Sequence, residues 1–306
     1  MEIRSVGSVA IDQWYKKGKP FTYNGHKIFY LEEGSGEPLV LLHGFPTSSW
    51  DWHKLWDTLI QTYRVITLDF IGYGFSSKPK NYSYSITDQA NLVDQLLSQL
   101  HLHHYHLLAH DYGDTVAQEL LARQLDRQDN RIYSCCRLNG GLFPETHRAT
   151  RTQKLLFSWL GPLVARMSSY KRFVASFSIL FPDQSRPAED EMRSLYDLIR
   201  YNNGHEITHL LIRYIIERRQ NRSRWVTALQ KAKCPLRLID GVDDPVSGAH
   251  MVARYKELIP DPDVIEISGC GHYPQMEVPE TILKSYVEFR NKYLSSNNIG
   301  NDNGHT

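Results

Sequence analysis

The chain alternates short apolar runs with amphipathic helical stretches, and that alternation restricts it to a mostly parallel α/β sheet. The apolar runs are 38–43 (PLVLLH), 64–69 (RVITLD), 106–109, 131–138, 235–239 and 264–267. Such short, nearly unbroken runs suit strands covered on both faces. Between them, 85–100 sets Ile86, Leu92, Val93, Leu96 and Leu97 on one side of a helix, and 114–124 and 279–293 also read as helices. The segment 21–32, broken at Asn24-Gly25, reads as an opening hairpin. The rhythm fails once: from about 143 to 225 the patterns are helical with no convincing strand. A helical block inserted between two strands reads as a lid over the sheet's C-terminal edge, where open α/β sheets bind ligands. The expected organisation is an N-terminal extension (1–20), a core (21–144 and 226–294) on an eight-stranded sheet, a helical lid (145–225) and a polar, disordered tail (295–306).

Composition narrows the class of function. A chain of 306 residues can bury a full core, and a net charge of +1 provides no field to attract nucleic acid. Four cysteines, Cys135, Cys136, Cys234 and Cys270, form neither a disulfide framework nor a zinc-ligand spacing. The first residues, MEIRSVGSVAIDQWYKKGKPF, contain no apolar run of signal-peptide or membrane-spanning length. The expectation is a soluble cytoplasmic protein acting on a small molecule, with attachment to the endoplasmic reticulum membrane surface as the alternative.

Four segments carry the chemistry. In Leu107-Leu108-Ala109-His110-Asp111-Tyr112-Gly113, a strand runs into a small-x-Asp-x-Gly turn and then a helix. This is a nucleophile elbow with Asp in the position esterases fill with Ser. A carboxylate needs no base to attack a carbon that bears a leaving group. An Asp before a helix is also an ordinary N-cap, so the elbow alone does not decide. His43-Gly44-Phe45-Pro46 follows a strand, where the backbone N–H of Phe45, with that of Tyr112, would hold a tetrahedral oxyanion. Gly241-Val242-Asp243-Asp244-Pro245 supplies a loop acid, and Ser268-Gly269-Cys270-Gly271-His272 a loop histidine. Nucleophile, acid and histidine, each after its own strand and in that order, match the α/β-hydrolase arrangement.

With these residues in place, the chain resembles the epoxide hydrolase and haloalkane dehalogenase branch of the α/β hydrolases, from about 21 to 293. Within that superfamily, long phrases such as LLHGFPTSSWDW (41–52), LDFIGYGFSSKP (68–79) and HYPQMEVP (272–279) tie it to one member more tightly. The resemblance implies that Asp111 opens the substrate to form an alkyl ester and that His272, oriented by a loop acid, activates the water that hydrolyses it. It implies no metal or organic cofactor. The family spacing G-x-x-D-P selects Asp244 as the acid, with Asp243 as the fallback. Dehalogenases of this branch put an indole N–H directly after the nucleophile, where this chain has Tyr112. Epoxide hydrolases carry an HG-aromatic-P loop, as here, and donate a proton from lid tyrosines. Tyr214 occupies the expected region for one of these, as the candidate proton donor, while Tyr170, Tyr196 and Tyr201 compete for the other without a recognisable phrase. An epoxide-hydrolase-like enzyme on an apolar substrate is the leading expectation. Ester, lipid or halide hydrolysis by the same residues, and a non-catalytic binding protein, stay open.

Three features carry ordinary expectations. His101, His103, His104 and His106 straddle a helix end and a strand start rather than a metal site. The basic run 213–224 reads as the solvated face of a lid helix, with a phosphate or lipid-headgroup contact as the alternative. Leu155, Leu156, Trp159, Leu160, Leu163, Val164 and Met167, at helical spacing, read as lid core, part of it roofing a substrate channel.

Overall fold

The structure is a computed structural model and describes residues 9–299. Eight strands form one sheet: β1 (Lys19–Tyr23), β2 (His26–Glu33), β3 (Glu37–Leu42), β4 (Tyr63–Leu68), β5 (Tyr105–His110), β6 (Ile132–Leu138), β7 (Leu236–Gly241) and β8 (Val264–Ile267). Their spatial order is β1-β2-β4-β3-β5-β6-β7-β8. β2 runs antiparallel to β1 and β4, and every other pairing is parallel. The opening hairpin turns at Asn24 and Gly25, whose φ values of 47° and 78° suit a two-residue Asn-Gly turn.

The side-chain period of two explains why the central strands are apolar throughout. Val40 and Leu42 face one core and Leu39 and Leu41 the other, all with no exposure. Full burial of one such leucine contributes about 1.5–3 kcal/mol. One face is covered by α3 (Ile86–Gln99) and α4 (Tyr112–Arg127), the first capped by Ser85, whose side chain accepts the Asp88 N–H. The other is covered by α1 (Val9–Lys17), α2 (His53–Leu59) and the closing helix. The N-terminal extension is therefore not loose: Ile11 and Trp14 are buried, and the Trp14 indole N–H donates to Ser49 Oγ at 3.1 Å. Residues 1–8 of that extension lie outside the described residues.

Between β6 and β7 every regular element is helical among the described residues. They are α5 (Arg151–Phe157), α6 (Gly161–Arg166), α7 (Tyr170–Phe177), α8 (Glu189–Arg200), α9 (Thr208–Leu211), α10 (Tyr214–Gln220) and α11 (Arg222–Gln230), with short 3₁₀ turns among them. After β7 come α12 (Ala249–Leu258), α13 (Pro274–Glu277) and α14 (Pro279–Ile299). The last runs to Ile299, so the tail expected to be disordered from Ser295 begins as helix. Its remainder, 300–306, lies outside the described residues. No helix among the described residues is long and apolar enough to cross a membrane.

Candidate active site

The turn after β5 brings Asp111 to the C-terminal edge of the sheet in a conformation L residues seldom adopt, φ 44° and ψ −99°. The doubling-back is possible because Gly113 lies against β3. Its N–H donates to His43 O at 2.9 Å, and a Cβ there would sit 2.3 Å from the Leu42 carbonyl oxygen. His43 secures the neighbouring loop. Its Nδ1 lies 2.8 Å from Gly44 O, and its Nε2 accepts the Phe70 N–H at 3.1 Å. Burial, the largest influence, holds this imidazole neutral, its pKa pushed down to about 3. The loop so fixed directs the Phe45 N–H to Asp111 Oδ2 at 3.1 Å. Tyr112 begins α4, so its N–H is one of the first-turn donors that the helix cannot satisfy internally.

His272 sits in the turn between β8 and α13. Its own N–H donates to Leu180 O at 2.9 Å, and its carbonyl lies 2.7 Å from His110 Nε2. Its Nδ1 is 2.7 Å from Asp244 Oδ2, while Nε2 is 4.0 Å from Asp111 Oδ2. Asp244 also accepts from Asn139 Nδ2, the Val246 N–H and Ser247 Oγ. Asp243 is exposed and accepts the Gly269 N–H at 2.8 Å. Of the two candidate acids, Asp244 is thus the one on His272.

Electrostatics fix the protonation states. Burial alone would raise the Asp111 carboxyl, yet Arg218, then His272, His110 and the Phe45 N–H, bring it below its ordinary value. Burial likewise disfavours charge on His272, but the Asp244 carboxylate, reinforced by Asp111, raises it to about 9. Asp244 is burdened by burial and still falls to about 2 through His272 and its own hydrogen bonds. At neutral pH the resting site holds an imidazolium between two carboxylates.

Arg218 was not anticipated, and it corrects the reading of 213–224 as a solvated face. Its guanidinium is buried; Nη2 donates to Asp111 O at 3.0 Å and approaches Asp111 Oδ1 at 3.3 Å, and Nε donates to Thr115 Oγ1 at 2.7 Å. Two of the neighbouring cations are engaged too, Arg222 with Glu145 and Arg224 with Glu119, while Arg213 and Arg219 are exposed. Glu119 also accepts the Trp225 indole N–H at 2.8 Å, fastening α11 to α4. His147 is a second residue the sequence did not single out. It is largely buried beside Arg218, and burial, reinforced by that charge, lowers it to about 4.

Tyr214 is buried above the elbow. Its ring packs 4.9 Å from that of Tyr112 and 5.8 Å from that of Phe45, and the Arg218 guanidinium covers it at 4.5 Å. Asp111 and Arg218 are the charges that act on its hydroxyl. The other tyrosines lie elsewhere: Tyr170 donates to Glu189 O, Tyr196 to Ser168 O, and Tyr201 packs on Phe75 and Lys78. The Tyr112 hydroxyl is turned toward Tyr73 and Gln89.

Next to the site is a cavity of about 800 Å³, walled by Phe45, His272, Leu156, Val164, Phe173 and Phe177 among others. Its size is that of a drug-sized ligand site. Leu155, Leu156, Val164 and Met167 line it, as a channel roof should. The rest of that apolar stretch is not core, for Trp159 is 88% exposed and Leu163 55%. In the histidine cluster, His106 is buried on Ser134 and Arg290, and His104 stacks on Tyr133.

The α/β hydrolase fold family model matches residues 37–279. The mesoderm-specific transcript protein of Mus musculus is 42% identical over 299 residues, covering 94% of this chain and 89% of that one. The putative hydrolase LipZ of Mycobacterium tuberculosis is 35% identical over 92% of this chain and 96% of its own. Among solved structures, the haloalkane dehalogenase DbeA of Bradyrhizobium elkani superposes with a TM-score of 0.77 at 22% identity, over 91% of this chain and 99% of that one. With its sheet order and its elbow, the chain belongs to the α/β-hydrolase fold family.

Proposed function

We propose that the chain is an epoxide-hydrolase-like enzyme that opens an apolar substrate through a covalent ester on Asp111. The observation that carries this reading is the state of Asp111: a carboxylate held anionic, bonded to the Phe45 N–H, and 4.0 Å from a histidine that is itself paired with Asp244. In the first step an Asp111 oxygen attacks an epoxide carbon, the carbon–oxygen bond breaks, and the Tyr214 hydroxyl protonates the departing oxygen. Esterification neutralises Asp111 and removes one of the charges that raise His272. The imidazolium then passes its proton, through solvent, to the Tyr214 phenolate left by the first step, and the freed base deprotonates a water. Hydroxide adds to the ester carbonyl, and the Phe45 and Tyr112 N–H groups hold the oxyanion. The bond from the ester carbon to the product oxygen breaks as that oxygen takes the proton from His272, and the freed Asp111 carboxyl returns its own proton to His272 to restore the resting pair. The helical insertion 145–225 acts as the lid that excludes bulk water. Halide chemistry has less support, because Tyr112 stands where the resemblance calls for an indole donor and its hydroxyl is directed to Tyr73 and Gln89.

The test is turnover of styrene oxide, fatty-acid epoxides, nitrophenyl esters and bromoalkanes by the purified protein. Epoxides should be hydrolysed, and Tyr214→Phe should slow their opening by roughly 10²-fold, the scale for losing a positioned acid. Turnover confined to esters or bromoalkanes, or an epoxide activity untouched by Tyr214→Phe, would remove the epoxide assignment.

A further inference from the structure

The segment 146–182 contains no Asp or Glu and six Lys or Arg, in a chain whose overall net charge is only +1. All six, Arg148, Arg151, Lys154, Arg166, Lys171 and Arg172, are exposed, and none of them is in a salt bridge among the described residues. The same segment concentrates exposed apolar surface. Of the eight large hydrophobic residues exposed among the described residues, six lie here: Leu155, Phe157, Trp159, Leu163, Met167 and Ile179. The helix α5 buries none of its residues. Solvent-exposed large side chains gathered in this way ordinarily mark an interaction surface.

The patch is continuous with the cavity. Leu155, Met167 and Ile179 are at once exposed and part of the cavity wall, and Arg151 and Arg172 line it beside them. Arg172 is pinned there, donating to Met167 O at 2.7 Å. Apolar side chains interleaved with unpaired cations, around the mouth of an apolar cavity, match the chemistry of one surface: acyl chains beneath anionic headgroups. A second copy of the chain is a poor match. An isologous contact would set this patch against itself and oppose its cations.

We propose that α5, α6 and the start of α7 dock the protein on an anionic phospholipid bilayer, with Trp159 and Leu163 entering the interface and the cavity mouth facing the lipid. The docking does not depend on the chemistry at Asp111.

Tryptophan fluorescence with vesicles tests this directly. Of the six tryptophans, Trp14, Trp50, Trp52, Trp56 and Trp225 are buried, so a change on docking reports Trp159. Vesicles of phosphatidylcholine mixed with phosphatidylserine should shift the emission to the blue and carry the full chain on flotation, whereas phosphatidylcholine alone should bind at least about tenfold more weakly. Salt should reverse the anionic component. Trp159→Ser with Leu163→Ser, and separately Arg151→Glu with Lys154→Glu and Arg166→Glu, should each lower vesicle affinity at least about tenfold while leaving the circular dichroism unchanged. Asp111→Ala should bind as the wild type does, which separates docking from turnover. Three results would overturn the proposal: no binding to the anionic vesicles, undiminished binding by both multiple variants, or a blue shift that appears without vesicles as protein concentration rises, which would assign the face to a second copy.

Discussion

Asp111 is held by two groups of opposite consequence. The Phe45 N–H binds one carboxylate oxygen, as it would bind the oxyanion of a later intermediate, while Arg218 lies at the other and keeps the acid ionised in a buried place. Without Arg218 the largest influence that lowers Asp111 is gone, and burial pushes its pKa up. Adduct formation needs the carboxylate, so its rate should be level across mildly acidic pH in the wild type. In Arg218→Met the acid limb should move to higher pH, with partial recovery of rate as the pH is raised. Single-turnover rates from about pH 4.5 to 8 check this, since a one-unit shift is about 1.4 kcal/mol. A uniform loss at every pH would instead make Arg218 a structural clamp. The same substitution should also cost about 3–5 kcal/mol of stability, because it leaves a buried charge with fewer partners.

At the scale of elements, the elbow works because β3, β5 and α4 meet at a glycine. Gly113→Ala would force a methyl carbon to within 2.3 Å of the Leu42 carbonyl oxygen, a backbone atom that cannot swing aside. We expect a loss of about 1–3 kcal/mol in denaturant unfolding, the usual scale of overpacking, with activity falling as Asp111 shifts. This element was legible in the sequence because its requirements are local: a strand, small residues on both sides of Asp111, and a helix in the correct order. The loop acid was legible to within one residue, and the hydrogen bond to His272 separates Asp244 from Asp243. Arg218 was hidden among similar neighbours. Arg213, Arg218, Arg219, Arg222 and Arg224 are alike in sequence, and only where α10 crosses the elbow decides which turns inward. Its one local signal was its spacing, four residues after Tyr214 and so on the same helical face. The stretch 155–167 misled for the opposite reason. Apolar residues at helical spacing imply a buried partner, yet α5 buries none of its residues, and Leu155 and Leu156 face the cavity instead.

For the whole molecule, the ion cluster couples the site to stability. The His272 pKa is raised from 6.5 to about 9, so the stabilisation by its charge is complete below about pH 6.5 and is lost as pH rises through about 9. The difference in melting temperature between wild type and His272→Gln should accordingly be largest near pH 6 and shrink toward pH 10. A difference that grows with pH would mean a neutral His272 in the folded protein. Whether Asp111 bonds to the substrate is tested most directly by the fate of water's oxygen. A single turnover of a competent epoxide by the wild-type protein in heavy-oxygen water should label the Asp111 carboxylate, read as a mass increase on its peptide, and leave the first product released unlabelled. If that product carries the label and Asp111 does not, water attacks the substrate directly, Asp111 is a general base, and the covalent account is wrong.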